Sequence, residues 1–141
     1  MRTKRFLAVA LTVVAMTACT VDKQNAPGLT GPSGLGLSLD VTASPDVLIR
    51  DGVSTSVIEV TARDGNGQLL SNLSLQVVAS TNLGVLSAGS IKTNASGKAT
   101  TVYTAPGNGG LTTATITVTP TGSNYQNAVP RTITIRLFPV G

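Results

Sequence analysis

The chain has 141 residues and contains no histidine, no tryptophan and one cysteine, Cys19. Without histidine the commonest general base is missing, and a lone cysteine rules out a disulfide within the chain. Aromatic residues make up 3% of the sequence, which leaves little from which to build a sugar-binding platform. Carboxylates are scarce as well. Beyond residue 36 they are Asp40, Asp46, Asp51, Glu59 and Asp64, and no two of them form the close pair that glycoside hydrolysis uses. These absences argue against an enzyme: the expectation is no catalytic residue, no cofactor and no metal site.

The longest apolar run, Phe6 to Met16, has eleven residues. A membrane-spanning helix needs about 20, so a permanent transmembrane segment is not expected. Arg2, Lys4 and Arg5 precede the run, and the small residues Thr17 and Ala18 follow it. That is the layout of a secretory signal peptide, here residues 1–18. Met16-Thr17-Ala18-Cys19 resembles the bacterial lipoprotein box, with Met16 where that box prefers leucine. The resemblance implies that Cys19 is lipidated and becomes the first residue of the mature chain. Several acyl chains hold a protein on a bilayer where one is marginal, because each buried CH₂ contributes about 0.8 kcal/mol. No aspartate follows at the position that retains such proteins at the inner membrane, so the resemblance implies the cell envelope, at the outer membrane.

Removing residues 1–18 takes three of the ten basic residues and none of the six acidic ones, so the net charge falls from +4 to +1. The remaining basic residues are scattered, which disfavours nucleic acid as a partner. Residues 19–36 hold the cysteine and a stretch rich in glycine and proline that cannot repay its ordering entropy by burial. They read as a flexible tether, spanning about 20 to 25 Å as a random coil.

From Leu37 the pattern changes to short alternating runs, the signature of half-buried strands. Leu37, Leu39, Val41 and Ala43 form one such set, Ile58, Val60 and Ala62 another, and Leu73, Leu75, Val77 and Ala79 a third. Ala114, Ile116 and Val118 alternate with threonines, as do Ile133, Ile135 and Leu137 with Thr132, Thr134 and Arg136. In 99–104 the phase is ambiguous, since Val102 and Tyr103 are adjacent and only one can face inward; Tyr103 is the better core residue. Turn signals separate the runs, among them Asp64-Gly65-Asn66-Gly67, Asn94-Ala95-Ser96-Gly97 and Pro106-Gly107-Asn108-Gly109-Gly110. No stretch has helical periodicity. Six or seven short strands in residues 37–141 predict an all-β fold, an immunoglobulin-like antiparallel two-sheet sandwich. The Asp64 loop offers one carboxylate, far short of a calcium shell, and reads as a tight hairpin with Asp, Asn and Gly at positive φ.

Ser44-Pro45-Asp46-Val47-Leu48-Ile49-Arg50-Asp51-Gly52, Ile58-Glu59-Val60-Thr61-Ala62-Arg63-Asp64-Gly65-Asn66-Gly67 and Thr93-Asn94-Ala95-Ser96-Gly97-Lys98-Ala99 resemble the bacterial immunoglobulin-like domain of invasin and intimin-type adhesins. The resemblance implies a structural or adhesive module that binds without turnover. Its partner is unknown; an envelope or surface protein fits, either as adhesive target or as the larger complex of which this chain is an accessory subunit. Among the few aromatics, Tyr125 lies in a polar loop and is the candidate ligand contact, together with the loop Pro106–Gly110.

Overall fold

The computed structural model describes residues 36–125 and 128–141. The expected signal peptide, Cys19 with its expected lipidation and all of the expected tether but Gly36 lie outside these residues.

Among the described residues nine strands follow in chain order: β1 (Ser38–Ser44), β2 (Val47–Ile49), β3 (Thr55–Arg63), β4 (Ser74–Ala79), β5 (Val85–Leu86), β6 (Ser90–Lys92), β7 (Lys98–Thr104), β8 (Thr112–Thr121) and β9 (Arg131–Phe138). One 3₁₀ turn spans Ser123–Tyr125. The strands form two sheets, ordered β1-β3-β7-β5 and β2-β9-β8-β4-β6. The sandwich is therefore as expected, with two refinements. β2, β5 and β6 are additional strands of two or three residues, and β2 pairs with β9 in parallel while the other pairings are antiparallel.

Alternation places the apolar residues as the sequence pattern requires. Ile58, Val60 and Ala62 of β3, Leu75 and Val77 of β4, Ala114, Ile116 and Val118 of β8, and Ile135 and Leu137 of β9 are buried between the sheets. In β7 the inward set is Ala99, Thr101 and Tyr103, which leaves Val102 on the outer face and makes Tyr103 the largest fully buried side chain. Interleaved threonines on β8 and β9 face outward, where their branched side chains suit the pleated surface.

Besides Tyr103, three hydroxyl side chains share this interior. Thr93 Oγ1 donates to the Leu70 carbonyl at 2.6 Å and accepts from the Leu73 N–H at 2.9 Å. Thr101 Oγ1 donates to the Ala88 carbonyl at 2.8 Å. Ser56 is buried, and its Oγ has no hydrogen-bond partner among the described residues.

Register gives the sandwich two distinct poles. β1, β4, β7 and β9 begin, and β3 and β8 end, at the pole where the described chain enters at Gly36. At the far pole lie the segments 50–54, 80–84 and 105–111 and the C-terminal end of β9. Between β1 and β2 the chain passes from one sheet to the other through Pro45 and Asp46, with a cis peptide bond at Ser44-Pro45.

Candidate functional site

At the entry pole, two loops repeat one turn. Asp64 Oδ1 accepts from the N–H groups of Asn66 (2.8 Å) and Gln68 (2.9 Å), and Asn94 Oδ1 accepts from those of Ser96 (2.8 Å) and Lys98 (3.1 Å). In both, the N–H of the fourth residue, Gly67 or Gly97, donates back to the first residue's carbonyl. Those two glycines have φ of 79° and 67°, whereas Asp64 and Asn66 keep negative φ. The expectation of positive φ at all three residue types in the Asp64 loop is thus corrected: the Asx side chain closes the turn by itself, and only the fourth position needs the left-handed backbone. Asp64 Oδ1 is taken up by these main-chain donors, which leaves the loop one carboxylate oxygen to offer an ion. No group of three or more acidic, cysteine or histidine residues that could hold a metal occurs among the described residues.

Tyr125 also belongs to the entry pole. It ends the 3₁₀ turn, is half-buried and packs against the core cluster. Pro106–Gly110 lies at the far pole, so the two loop candidates from the sequence stand at opposite ends of the molecule.

The far pole is organised by Arg50, a residue the sequence pattern did not single out. Its N–H donates to the Phe138 carbonyl at 2.8 Å, its carbonyl accepts from the Asn108 N–H at 3.0 Å, and its Nη1 donates to the Gly110 carbonyl at 3.0 Å. Through its main chain and its guanidinium together, this one residue joins the end of β2 to β9 and to the 105–111 loop. The guanidinium lies against Gly109, whose φ is 117° and where a Cβ would collide with it. Next to it, Asp51 Oδ1 accepts from the N–H groups of Val53 (2.9 Å) and Ser54 (2.6 Å), and Oδ2 from the Ser54 hydroxyl (2.7 Å). These bonds, the Ser54 hydroxyl's first, lower the Asp51 pKa to about 2. Across the pole, the buried Tyr103 hydroxyl donates to the Leu83 carbonyl, and burial raises its pKa against the opposing pull of the Arg50 charge. Gly84, with φ of 93°, fits beneath the Thr104 carbonyl and the Tyr103 ring, where a Cβ would overlap both.

These loops enclose a shallow cleft of about 430 Å³, lined by Gly52, Asn82, Gly84, Val85, Thr104, Ala105, Pro106 and Gly107. The lining is uncharged and rich in small residues, so it offers main-chain polar groups and apolar patches to a partner and no fixed charge.

Elsewhere, Lys98 Nζ lies 2.7 Å from Glu59 Oε1 on the outer face of the first sheet, both side chains exposed. This is a solvated surface pair worth little to stability.

A family described as invasin, domain 3, matches residues 38–136. The chain belongs to that family. Among solved structures it resembles the Yersinia pseudotuberculosis adhesin InvE, at 28% identity and a TM-score of 0.61, over 77% of this chain and 29% of that one. It also resembles the D00-D0 and D0-D1 domain pairs of intimin, at 24% and 25% identity with TM-scores of 0.54 for both. Each of those matches covers 68% of this chain, and 45% and 47% of the respective intimin chains. The chain thus spans less than half the length of each of these relatives. No curated protein matches it. Adhesin domains of this family are modules of the bacterial envelope, which agrees with the adhesive and immunoglobulin-like reading of the sequence.

Proposed function

We propose that the chain is a non-catalytic adhesive module, lipid-anchored through Cys19 to the outer membrane, that binds a protein or surface partner through its far-pole loops. The polarity of the sandwich carries this reading. Gly36, which continues from the segment after Cys19, is at one pole, and the cleft framed by segments 50–54, 80–84 and 105–111 is at the other. A scaffold that holds loops on rigid strands at the end away from its attachment presents them outward. The uncharged lining suits a neutral polar or apolar partner surface. Tyr125, half-buried at the entry pole, is a supporting residue in this arrangement, and the role of contact passes to the far pole.

Two experiments test the proposal separately. For the anchor, Cys19→Ser should move the protein from the membrane pellet to the soluble fraction; pelleting that survives a carbonate wash would refute lipidation. For the cleft, Val85→Lys and Asn82→Gly should reduce adhesion to envelope or host-surface material by tenfold or more with an unchanged melting temperature. Glycine at position 82 keeps the left-handed backbone that Asn82 adopts at φ 60°. Full adhesion by both variants, or turnover of any substrate lost on one Ser, Lys or Asp substitution in a folded protein, would sink this reading.

A further inference from the structure

The edge of the second sheet at the far pole carries features that the cleft does not use. β2 is an edge strand that pairs with β9 alone. The flanking residues Asp46 and Arg50 face β9: the Asp46 carbonyl accepts from the Arg136 N–H at 2.9 Å, and the Arg50 N–H donates to the Phe138 carbonyl. With a period of two, Val47 and Ile49 direct their N–H and carbonyl groups to the other side, where no strand pairs among the described residues. Their side chains are exposed. Ile49 of β2 is in register with Phe138 of β9, and Leu111 stands just before Thr112, the residue of β8 opposite Leu137; the three are exposed by 50%, 40% and 66%.

An edge strand whose exposed side chains are apolar is a template for another strand. We propose that its occupant is β2 of a second copy of this chain, paired antiparallel about Leu48. In that register Val47 of each copy stands opposite Ile49 of the other, and their outward N–H and carbonyl groups meet. Asp46 falls opposite Arg50 at both ends of the pair. A parallel pairing would instead set Asp46 on Asp46 and Arg50 on Arg50, and like charges directly opposite each other are destabilising. Charge complementarity therefore selects the direction.

The direction has a geometric consequence. In each copy β2 runs from the entry pole toward the far pole, so antiparallel pairing reverses the two long axes. The entry poles end on opposite sides. Chains held by their N-terminal ends then meet from two facing surfaces, and the contact is a homophilic bridge between them. It rests on the adhesive reading of the domain but uses a different surface from the cleft. A short strand pair buries little area and is weak singly, yet arrays on two surfaces engage many such pairs at high effective concentration.

The experiment uses two populations of beads coated with the full chain through its N-terminal end. Wild-type beads should cluster, and Ile49→Lys on both populations should reduce clustering at least tenfold with an unchanged melting temperature. Val85→Lys, in the cleft, should leave clustering intact. Beads carrying Val47→Cys mixed with beads carrying Ile49→Cys should give an intermolecular disulfide on mild oxidation. Val47→Cys mixed with itself should stay at the background set by wild-type chains, which share Cys19. Absence of clustering in the wild type, clustering that survives Ile49→Lys, clustering lost with Val85→Lys, or disulfides from Val47→Cys alone as readily as from the mixed pair would each overturn the proposal. Clustering that responds to Ile49→Lys alone supports it whatever the cleft variants do to adhesion.

Discussion

Replacing Thr93 by valine preserves the shape of the side chain and removes one oxygen that serves two main-chain groups. Among the described residues, the Leu73 N–H and the Leu70 carbonyl have no main-chain partner, since Leu73 pairs through its carbonyl and Leu70 through its N–H. Each buried group left unsatisfied costs about 1 to 3 kcal/mol. The Leu70 carbonyl is only half-buried and recovers part of its loss from water, so the sum is about 2 to 4 kcal/mol. For a domain of roughly 100 residues, 1 kcal/mol corresponds to about 4 to 8 °C in Tm, which makes the expected drop about 8 to 32 °C. Ser56 supplies the internal control. It is equally buried, but its Oγ has no partner among the described residues, so Ser56→Ala deletes an unsatisfied group and strands none. That variant should fall within about 1 kcal/mol of the parent or exceed it. Urea denaturation followed by circular dichroism measures both, with equal m-values as the check on two-state behaviour. Similar losses for Thr93→Val and Ser56→Ala would show that hydroxyl burial itself, and not the pairing of main-chain groups, sets the cost.

Ile116→Ala should cost about 2 to 5 kcal/mol, since Ile116 is fully buried between the sheets; Thr115→Ala, on the outer face, should cost less than about 1 kcal/mol, and equal losses in chemical denaturation would contradict the register of β8. Gly84→Ala should lower Tm by at least 10 °C, because the new Cβ meets both the Thr104 carbonyl and the Tyr103 ring at a positive φ; a normal melt would refute the tight packing there. Asp51 has a folded pKa of about 2 against an ordinary 3.8, so its stabilisation of the 50–54 segment is complete above pH 3.8 and disappears as the pH falls through about 2. Faster amide exchange of Val53 and Ser54 in Asp51→Asn than in the parent at pH 5, with the difference closing toward pH 2, is the expected result.

Alternation made five strands legible because β1, β3, β4, β8 and β9 are each six residues or longer and expose one face. β2, β5 and β6 escaped for a physical reason: two or three residues are too few to display a period of two. Position 103 illustrates a second limit. Tyr103 was the better core residue of the adjacent pair Val102 and Tyr103, but the phase that puts it inward also buries Thr101, whose hydroxyl is satisfied by the Ala88 main chain, a partner 13 residues away in sequence. Arg50 was illegible altogether, since its role depends on Asn108, Gly110 and Phe138 being folded around it. The turn at Asp64 was visible by composition, but the identical turn chemistry at Asn94 became evident only through its matching hydrogen bonds.

The parallel pairing of β2 with β9 bears on how the domain carries load. Force that drew Asp46, just before β2, toward the entry pole while Phe138, at the end of β9, was held at the far pole would slide β2 and β9 past each other along their length. Their hydrogen bonds lie across that direction, so they resist together in shear instead of opening one at a time like a zipper. Under that load the short β2 strand would act as a clasp, whose release is governed by the unfolding rate and not by the equilibrium stability of the sandwich.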